Sequence, residues 1–441
     1  MTTTTKIPSL KTQKYDRQLR LWATTGQTAL ENSKICLLNA TATGCEILKN
    51  LVLPGVGNIT IVDDTIVKES DIRNNFFLEP SNIGISKAQA TATLLQELNE
   101  DATVSFENNK SVSDLIQTQA EFFDSYSMVI ATNLNEQDTL TLADICDKNQ
   151  KPFMNVHSKG LAGVFRIQSP EHTIVETHPE NTVDLRLGCP FPELSKYVKS
   201  IDLDSLDQTD HSHIPFVVVL LKYIQKWEET HDGMPPTSYE DRNELKKLLR
   251  EGMRTSDEEN FEEAISNVWR LTSSDTISSS IRNILNDPVT QHLETNSNSF
   301  WIITKAIKDF VDNEGQGQLP LTGKLPDMKS DTENYVNLQK IYREKAAIDL
   351  KTVKERVKNI LQELNLSLDS IPEDIIELYC KNAGTVKVIR YRTLRDEYIE
   401  NPEIEMIVNG LESQENMIFY ILFRAAEKFT LKYNRYPGNN K

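Results

Sequence analysis

A chain of 441 residues is long enough for two or three domains that each bury a hydrophobic core. Its formal net charge of -17 argues against nucleic acid or an anionic membrane as the main partner. The longest apolar run, residues 214–221, is too short to span a bilayer. The five cysteines are scattered without a C-x-x-C pair, as is typical of reduced thiols. We therefore expect a soluble protein of the cytoplasm and nucleus.

The first part of the chain, residues 33–170, alternates between short apolar runs and stretches with helical periodicity. The predicted strands cover 33–38, 59–62, 103–106, 128–132, 153–157 and 164–167. The predicted helices between them cover 43–53, 85–99 and 135–149. Such alternation predicts an α/β fold with a mostly parallel sheet and helices on both faces.

After residue 170 the strand signals nearly vanish and helical periodicity dominates. The predicted helices cover 215–229, 239–253, 257–271, 298–313, 331–364 and 415–433. We therefore predict an α/β domain over residues 1–168 and a mainly α-helical domain over residues 169–441.

The turn after the first predicted strand reads Asn39-Ala-Thr-Ala-Thr-Gly44. Nucleotide-binding folds place glycines in this turn so that the backbone can approach phosphate. Only Gly44 of the usual set is present, and Thr41 and Ala42 put Cβ atoms where phosphate would lie. The sequence favours a structural relic over a working phosphate loop.

Several polar residues allow two interpretations. Asp63 and Asp64 either bind a ribose or cap a strand end. Arg17, judged by itself, is by default a surface salt-bridge residue. His211 and His213 have a spacing that suits a metal pair, but no third ligand is near, which favours capping or hydrogen bonding in the core.

An ordered series of unusual motifs carries a family resemblance. The motifs are Lys14-Tyr-Asp-Arg-Gln-Leu-Arg-Leu-Trp22, Asn39–Gly44, Ile47–Gly55, Asn74–Leu78, Asp210–His213, Glu258–Ala264, Glu314–Gly317, Leu325–Met328, Tyr342–Ala346 and Arg435–Gly438. The chain resembles the ThiF/MoeB-like ubiquitin-activating superfamily. Within it, the chain is most similar to the regulatory subunits of neddylation-activating enzymes.

The resemblance implies a Rossmann-like adenylation fold whose ATP site has decayed. The degenerate positions are Asn39 and Thr41 for the glycines, Thr65 for the second acid, Asn74 for the phosphate-binding Arg and Asn133 for the late metal-binding Asp. Gly44, Asp63 and Lys87 are retained. An amide in place of a carboxylate loses the charge that Mg²⁺ requires. The resemblance thus implies that this chain binds neither ATP nor metal, and that ATP and Mg²⁺ belong to a partner subunit.

The same resemblance implies a heterodimer. The catalytic partner would adenylate a Nedd/Rub-type ubiquitin-like modifier, form the thioester on its own cysteine and pass the modifier to a conjugating enzyme. Arg17 would reach in trans to the ATP in the partner's site. The helical domain resembles half of a catalytic-cysteine domain without the cysteine. The residues expected at the partner interface are Tyr15, Arg17, Gln18, Trp22, Pro326, Asp327, Met328, Tyr335, Leu338 and Gln339.

A pure scaffold with no enzyme partner is one alternative, and two others remain at this point. One is the equivalent subunit for another modifier, such as the sumoylation type. The other is a Rossmann-fold NAD-dependent oxidoreductase, suggested by Asp63 and weakened by the missing glycines. Family members usually continue past the Arg435–Gly438 motif and return to complete the sheet, so we expect the final strands of that sheet to be absent here.

Overall fold

A computed structural model describes residues 10–177, 183–273, 277–413, 416–433, 435 and 437–438. The chain divides into two compact units, one formed by Met1–His172 with Ile389–Lys441 and the other by Thr173–Val388. Tyr436 of the last motif lies outside the described residues.

The first unit is built on a six-stranded sheet with the strand order β3-β2-β1-β4-β5-β6. Its strands are β1 Lys34–Leu38, β2 Asn58–Val62, β3 Thr103–Glu107, β4 Met128–Thr132, β5 Phe153–Lys159 and β6 Ala162–Gln168. The first five strands are parallel and β6 is antiparallel to β5. The predicted mostly parallel sheet is confirmed.

Helices cover both faces of this sheet. They are α1 Leu10–Lys14, α2 Asp16–Asn32, α3 Ala42–Val52, α4 Glu69–Ile72, α5 Lys87–Leu98, α6 Val112–Thr118 and α7 Glu136–Lys148. Successive side chains of a strand point to opposite faces. In β1, Ile35 and Leu37 join one hydrophobic cluster, and Cys36 and Leu38 join another. This double burial explains why β1 is apolar along most of its length.

The second unit is mainly helical, as predicted. The elements over this part of the chain are β7 His172–Ile174, α8 Pro192–Ser200, α9 Gln208–His211, α10 Phe216–Thr230, α11 Tyr239–Gly252, α12 Glu259–Asn267, α13 Arg270–Ser273, α14 Ser279–Leu285, α15 Ser299–Asp312, α16 Thr332–Glu363, α17 Glu373–Asn382 and β8 Lys387–Ile389. One hydrophobic cluster centres on α10 and α12, and another on α15, α16 and α17.

The predicted domain limits are wrong at the C-terminal end. Residues 389–441, which we assigned to the helical domain, belong with the α/β unit and include α18 Ile404–Glu412 and α19 Met417–Tyr433. The backbone N–H of Leu394 donates to Gln168 Oε1 over 2.7 Å. Arg166 Nε lies 2.6 Å from Glu397 Oε2. These contacts hold the returning segment against β6.

Within the described part of the chain, no helix is long and apolar enough to cross a membrane. All five cysteines are free thiols, and only Cys189 is exposed.

Candidate functional site

The turn after β1 is held together by its own polar groups. Asn39 has a left-handed backbone (φ 66°), and its Nδ2 donates to the carbonyl of Thr132 over 2.9 Å. Thr41 Oγ1 donates to Thr132 Oγ1 over 2.8 Å and accepts from the backbone N–H of Gly44 over 3.2 Å. Thr41 is therefore the N-cap of α3 and fixes the turn to the end of β4.

Gly44 is needed for close packing of α3 on the sheet. A Cβ at this position would lie 3.0 Å from Leu37 Cδ2 and 3.1 Å from the carbonyl oxygen of Asn39. These distances are tighter than most Cβ contacts in proteins. The last glycine of the usual nucleotide motif thus serves the helix–strand contact rather than a phosphate.

Asp63 caps the turn from the end of β2. The side chain is buried. Its Oδ2 accepts from the N–H of Ala40 over 2.8 Å, and its Oδ1 accepts from the N–H of Thr65 over 2.9 Å and from Thr65 Oγ1 over 2.5 Å. Both carboxylate oxygens are therefore used inside the protein. Of the two interpretations left open for Asp63, the structure supports the strand-end cap.

Lys87, the retained lysine, is paired with an acid that the sequence did not single out. Lys87 Nζ lies 3.3 Å from Asp71 Oδ1, and both side chains are largely buried. Asn74 is exposed, and the neighbouring Arg73 pairs with Glu69 over 3.0 Å. The pairing partly neutralises the positive charge that a phosphate would need.

Asn133 also serves the local backbone. It has a left-handed conformation (φ 52°), and its Oδ1 accepts from the N–H of Ser158 over 3.1 Å. Ser158 Oγ in turn lies 2.7 Å from Thr43 Oγ1. Since Asp63 is the only carboxylate among the predicted site positions and its oxygens are engaged, the donor set does not fit Mg²⁺ with a triphosphate. In the ranges that the structure describes, no group of three or more His, Cys, Asp or Glu side chains could hold a metal ion.

The N-terminal motif is anchored through Tyr15 and Gln27. Tyr15 is buried; its hydroxyl accepts from Asn99 Nδ2 over 3.0 Å and donates to Asp101 Oδ2 over 3.2 Å. Gln27 Nε2 donates to the carbonyl of Pro54 over 3.2 Å. These contacts attach α2 to the body of the α/β unit. No role was predicted for Gln27 or Asn99, and for Asn99 no local signal existed because it is 84 residues from Tyr15.

The remaining predicted residues of this motif are more accessible. Arg17 is exposed and, among the residues that the structure describes, forms no ion pair. Arg20 on the same helix pairs with Asp16 over 2.8 Å. Trp22 is 37% exposed and Gln18 is half-buried. The salt bridge that we considered for Arg17 by default is therefore not formed within the described residues.

The second predicted interface segment packs partly within its own unit. Leu338 is fully buried, and Leu325 and Met328 pack against the same hydrophobic cluster. Pro326, Tyr335 and Gln339 are half-buried, and Asp327 is exposed. Leu338 and Tyr15 were predicted to contact a partner. Both side chains are buried within this chain, so neither has accessible surface for such a contact, and both predictions are wrong.

His211 is buried and serves the core. Its Nδ1 lies 2.7 Å from Glu258 Oε1, and its ring stacks on Phe261 with 5.0 Å between centroids. The preference for core hydrogen bonding over a metal pair is confirmed for His211.

Comparison with known proteins places the chain in a family. Residues 15–196 match the ThiF family. The chain is 43% identical over 442 residues to the NEDD8-activating enzyme E1 regulatory subunit of Xenopus laevis, which covers 98% of this chain and 83% of that protein. The chain belongs to the family of NEDD8-activating enzyme E1 regulatory subunits.

Other members of this family are also similar over most of the chain. The Arabidopsis thaliana NEDD8-activating enzyme E1 regulatory subunit AXR1 is 44% identical over 431 residues, covering 96% of this chain and 79% of that protein. The Saccharomyces cerevisiae member is 30% identical over 399 residues, covering 86% and 80%. The predicted family and the ThiF-type α/β fold are thus confirmed, and nothing favours the sumoylation or oxidoreductase alternatives. The name of these relatives, regulatory subunit, implies that they assemble with a catalytic subunit.

Solved structures also give matches to part of the chain. Escherichia coli TcdA in complex with ATP has a TM-score of 0.30 and 20% identity, covering 34% of this chain and 60% of that chain. E. coli MccB with AMPCPP and MccA has a TM-score of 0.32 and 17% identity, covering 37% and 51%.

Proposed function

We propose that this chain is the non-catalytic half of a heterodimeric activating enzyme for a NEDD8-type modifier. A catalytic partner subunit would adenylate the modifier's C-terminus with ATP and Mg²⁺. It would then form a thioester on its own cysteine and transfer the modifier to a conjugating enzyme. This chain would complete the dimer and supply one positive charge to the partner's ATP.

The observation that carries this proposal is the state of Arg17. The helix that bears it is attached through Tyr15 and Gln27, yet Arg17 itself is exposed and forms no ion pair within the described residues. A guanidinium group held this way can approach a triphosphate on another subunit without first breaking an internal pair. Its planar fork can donate to two phosphate oxygens, which would stabilise charge that develops during adenylation.

The turn after β1 supports the complementary half of the proposal, that this chain itself does not use Mg·ATP. Asp63 is occupied by Ala40 and Thr65, and Lys87 is paired with Asp71. Nucleotide binding would have to replace these contacts, and the amides of Asn74 and Asn133 would contribute no charge to a metal.

The test compares the isolated chain with the assembled complex. ATP–pyrophosphate exchange is measured with a NEDD8-type modifier for the purified chain, for the catalytic subunit of a relative, and for both together. We expect exchange by the pair, no exchange by this chain alone, and co-elution of the two subunits in size-exclusion chromatography. Exchange by this chain alone, or failure of the pair to associate, would contradict the proposal.

We further propose that Gln18, Trp22, Pro326, Asp327, Met328, Tyr335 and Gln339 contribute to the partner interface, because each retains some accessible surface. Reversing the charge of the exposed Asp327 and replacing the half-buried Met328 with Ser should weaken co-elution with the partner. Met234→Ser, which changes an exposed methionine outside the proposed interface, is the control.

For location, we propose the cytoplasm and the nucleus, in keeping with the scattered free thiols. Imaging of a fluorescently tagged chain tests this, and accumulation in a membrane-bounded secretory compartment would contradict it.

A further inference from the structure

The face that α19 turns toward the α/β unit is unusually polar. A surface helix normally buries its apolar side chains against the body. In α19 the buried side chains are Phe423 and the carboxylic acid Glu427, whereas Phe419 and Leu422 are exposed. Arg424 lies on the same face, one residue from Phe423 and three from Glu427. The docking of α19 therefore depends on ionisable groups.

Glu427 faces a histidine on the sheet. Its Oε1 lies 3.1 Å from His157 Nε2 on β5, and each side chain is 5% exposed. The positive charge of Arg424 is shared between two acids, because Arg424 also lies 3.0 Å from Glu136 at the start of α7. The Arg424 guanidinium also lies 3.1 Å from the centre of the Tyr398 ring.

Polar atoms without hydrogen-bond partners are concentrated on α19 and on the elements that carry His157 and Glu136. Among the described residues, six of the eight buried side-chain atoms that lack a partner belong to β5, α7 and α19. They are Thr139 Oγ1, Asn155 Oδ1, Arg424 Nη1 and Glu427 Oε2, together with Glu136 Oε2 and His157 Nε2, whose approaches to Arg424 and Glu427 lack hydrogen-bond geometry. An ionised carboxylate is strongly unfavourable in such surroundings, and a neutral acid is much less so.

We propose that α19 docks with Glu427 in its neutral acid form against a neutral His157, so that docking is accompanied by proton uptake at Glu427 and proton release at His157. Burial is the main cause on both sides. It raises the pKa of Glu427 to about 7, with Arg424 opposing and Glu136 adding to the shift. It lowers the pKa of His157 to about 4, assisted by Lys159 and Arg424.

The charged and titratable groups around Glu427 come from five elements. They are His157 and Lys159 of β5, Glu136 of α7, Arg166 of β6, Glu397 and Tyr398 of the turn at 396–400, and Tyr420 and Arg424 of α19 itself. Arg166 pairs with Glu397 and Arg424 with Glu136, which leaves Glu427 and His157 as the groups whose protonation decides the charge of the contact.

The two pKa shifts act in opposite directions on docking. Because the pKa of Glu427 is raised from 4.5 to about 7, docking weakens as pH rises through that interval. Because the pKa of His157 is lowered from 6.5 to about 4, docking weakens as pH falls through that interval. Between pH 4.5 and 6.5 the two effects oppose each other. With both residues present, the docking of α19 is thus nearly independent of pH. When one of the two is replaced, docking becomes pH-dependent because the remaining residue still titrates.

Hydrogen–deuterium exchange of peptides from residues 417–433 in the full chain tests the proposal at pH 6 and pH 8, after correction for the intrinsic exchange rate. Wild-type exchange should differ by no more than about threefold between the two pH values. Glu427→Gln should slow exchange about tenfold or more at pH 8, because the amide needs no proton to be neutral. His157→Gln should exchange about tenfold faster at pH 8 than at pH 6.

The control is Glu412→Gln, which changes an exposed acid on the adjacent helix α18 and should leave exchange unchanged. If the pair were instead a carboxylate with a protonated imidazole, Glu427→Gln would speed exchange. The wild type would then exchange more than about tenfold faster at pH 8 than at pH 6. Either result overturns the proposal, and the second requires no variant to fold.

Discussion

The turn after β1 and the helix α2 belong to the same unit but use their polar side chains differently. In the turn, Asp63, Thr41 and Asn133 all bond to neighbouring residues of the protein. On α2, Arg17 forms no ion pair within the described residues, although Tyr15, two positions earlier, is buried and hydrogen-bonded. The turn has become a structural element, and α2 keeps a cation accessible. Residues of the first kind should affect stability when changed, and residues of the second kind should affect activity.

The largest effect on stability should come from a residue that the sequence alone assigned to an interface. Leu338→Ala removes a fully buried side chain from the core of the helical unit and should lower its free energy of unfolding by about 2–5 kcal/mol. Val336→Ala, at a position that is 52% exposed on the same helix, is the matched control. Urea denaturation followed by fluorescence measures both. If Leu338→Ala changed the free energy of unfolding no more than Val336→Ala, Leu338 would again be a candidate for the partner interface.

In the turn, Asp63→Ala leaves the N–H groups of Ala40 and Thr65 without their acceptors. We expect the α/β unit to lose about 2–3 kcal/mol of stability. Pyrophosphate exchange per assembled complex should be unchanged, because the partner performs the chemistry. Asp64→Ala, which changes an exposed acid, should have little effect on either quantity. A loss of exchange in a complex that is still fully assembled would indicate that Asp63 contacts nucleotide.

The attachment of α2 can be tested at Gly55, which lies between α3 and β2 and faces Gln27 and Tyr15. Gly55 has φ +100°, and a Cβ there would lie 3.0 Å from Gln27 Nε2 and 3.1 Å from Tyr15 Cζ. Gly84 has φ +86° but open space around it, so Gly84→Ala measures backbone strain alone. Gly55→Ala should be more destabilising by about 1 kcal/mol because it also crowds the anchors of α2. Equal unfolding midpoints for the two variants would argue against this anchoring role.

The smallest effect is expected at Lys87. Its pairing with Asp71 is partly screened, so Lys87→Met should cost at most about 1 kcal/mol. Arg73→Met removes a pair that is far more exposed and should cost less. Neither variant should alter pyrophosphate exchange by the complex. A selective loss of exchange in Lys87→Met would show that the retained lysine still contacts a substrate.

Local spacing in the sequence was sufficient to place most helices and strands. The predicted helix over 331–364 is α16, Thr332–Glu363, and the predicted strand over 153–157 is the first part of β5, Phe153–Lys159. The return of residues 389–441 to the α/β unit was beyond such reasoning. It depends on contacts such as that between Leu394 and Gln168, which are 226 residues apart and leave no periodic signal.

The candidate site shows the same limit. The positions of Asn39, Asp63 and Asn133 at strand ends followed from the order of elements, but their hydrogen-bond partners did not. The partner of Lys87, Asp71, lies in a segment without a strong motif. Leu338 was expected at the partner interface but is buried in its own unit, since the sequence does not reveal which surface covers an apolar side chain.

Replacing Arg17 with Ala in the assembled complex tests the central claim most directly. Arg20→Ala is the control, because Arg20 lies on the same helix and is already paired with Asp16. We expect Arg17→Ala to lower pyrophosphate exchange by roughly 30- to 1,000-fold, corresponding to about 2–4 kcal/mol, with normal dimer formation. Arg17→Lys should recover only part of this loss, because lysine lacks the planar fork. Normal exchange in Arg17→Ala, or a weakened dimer with normal turnover per complex, would contradict a role in trans.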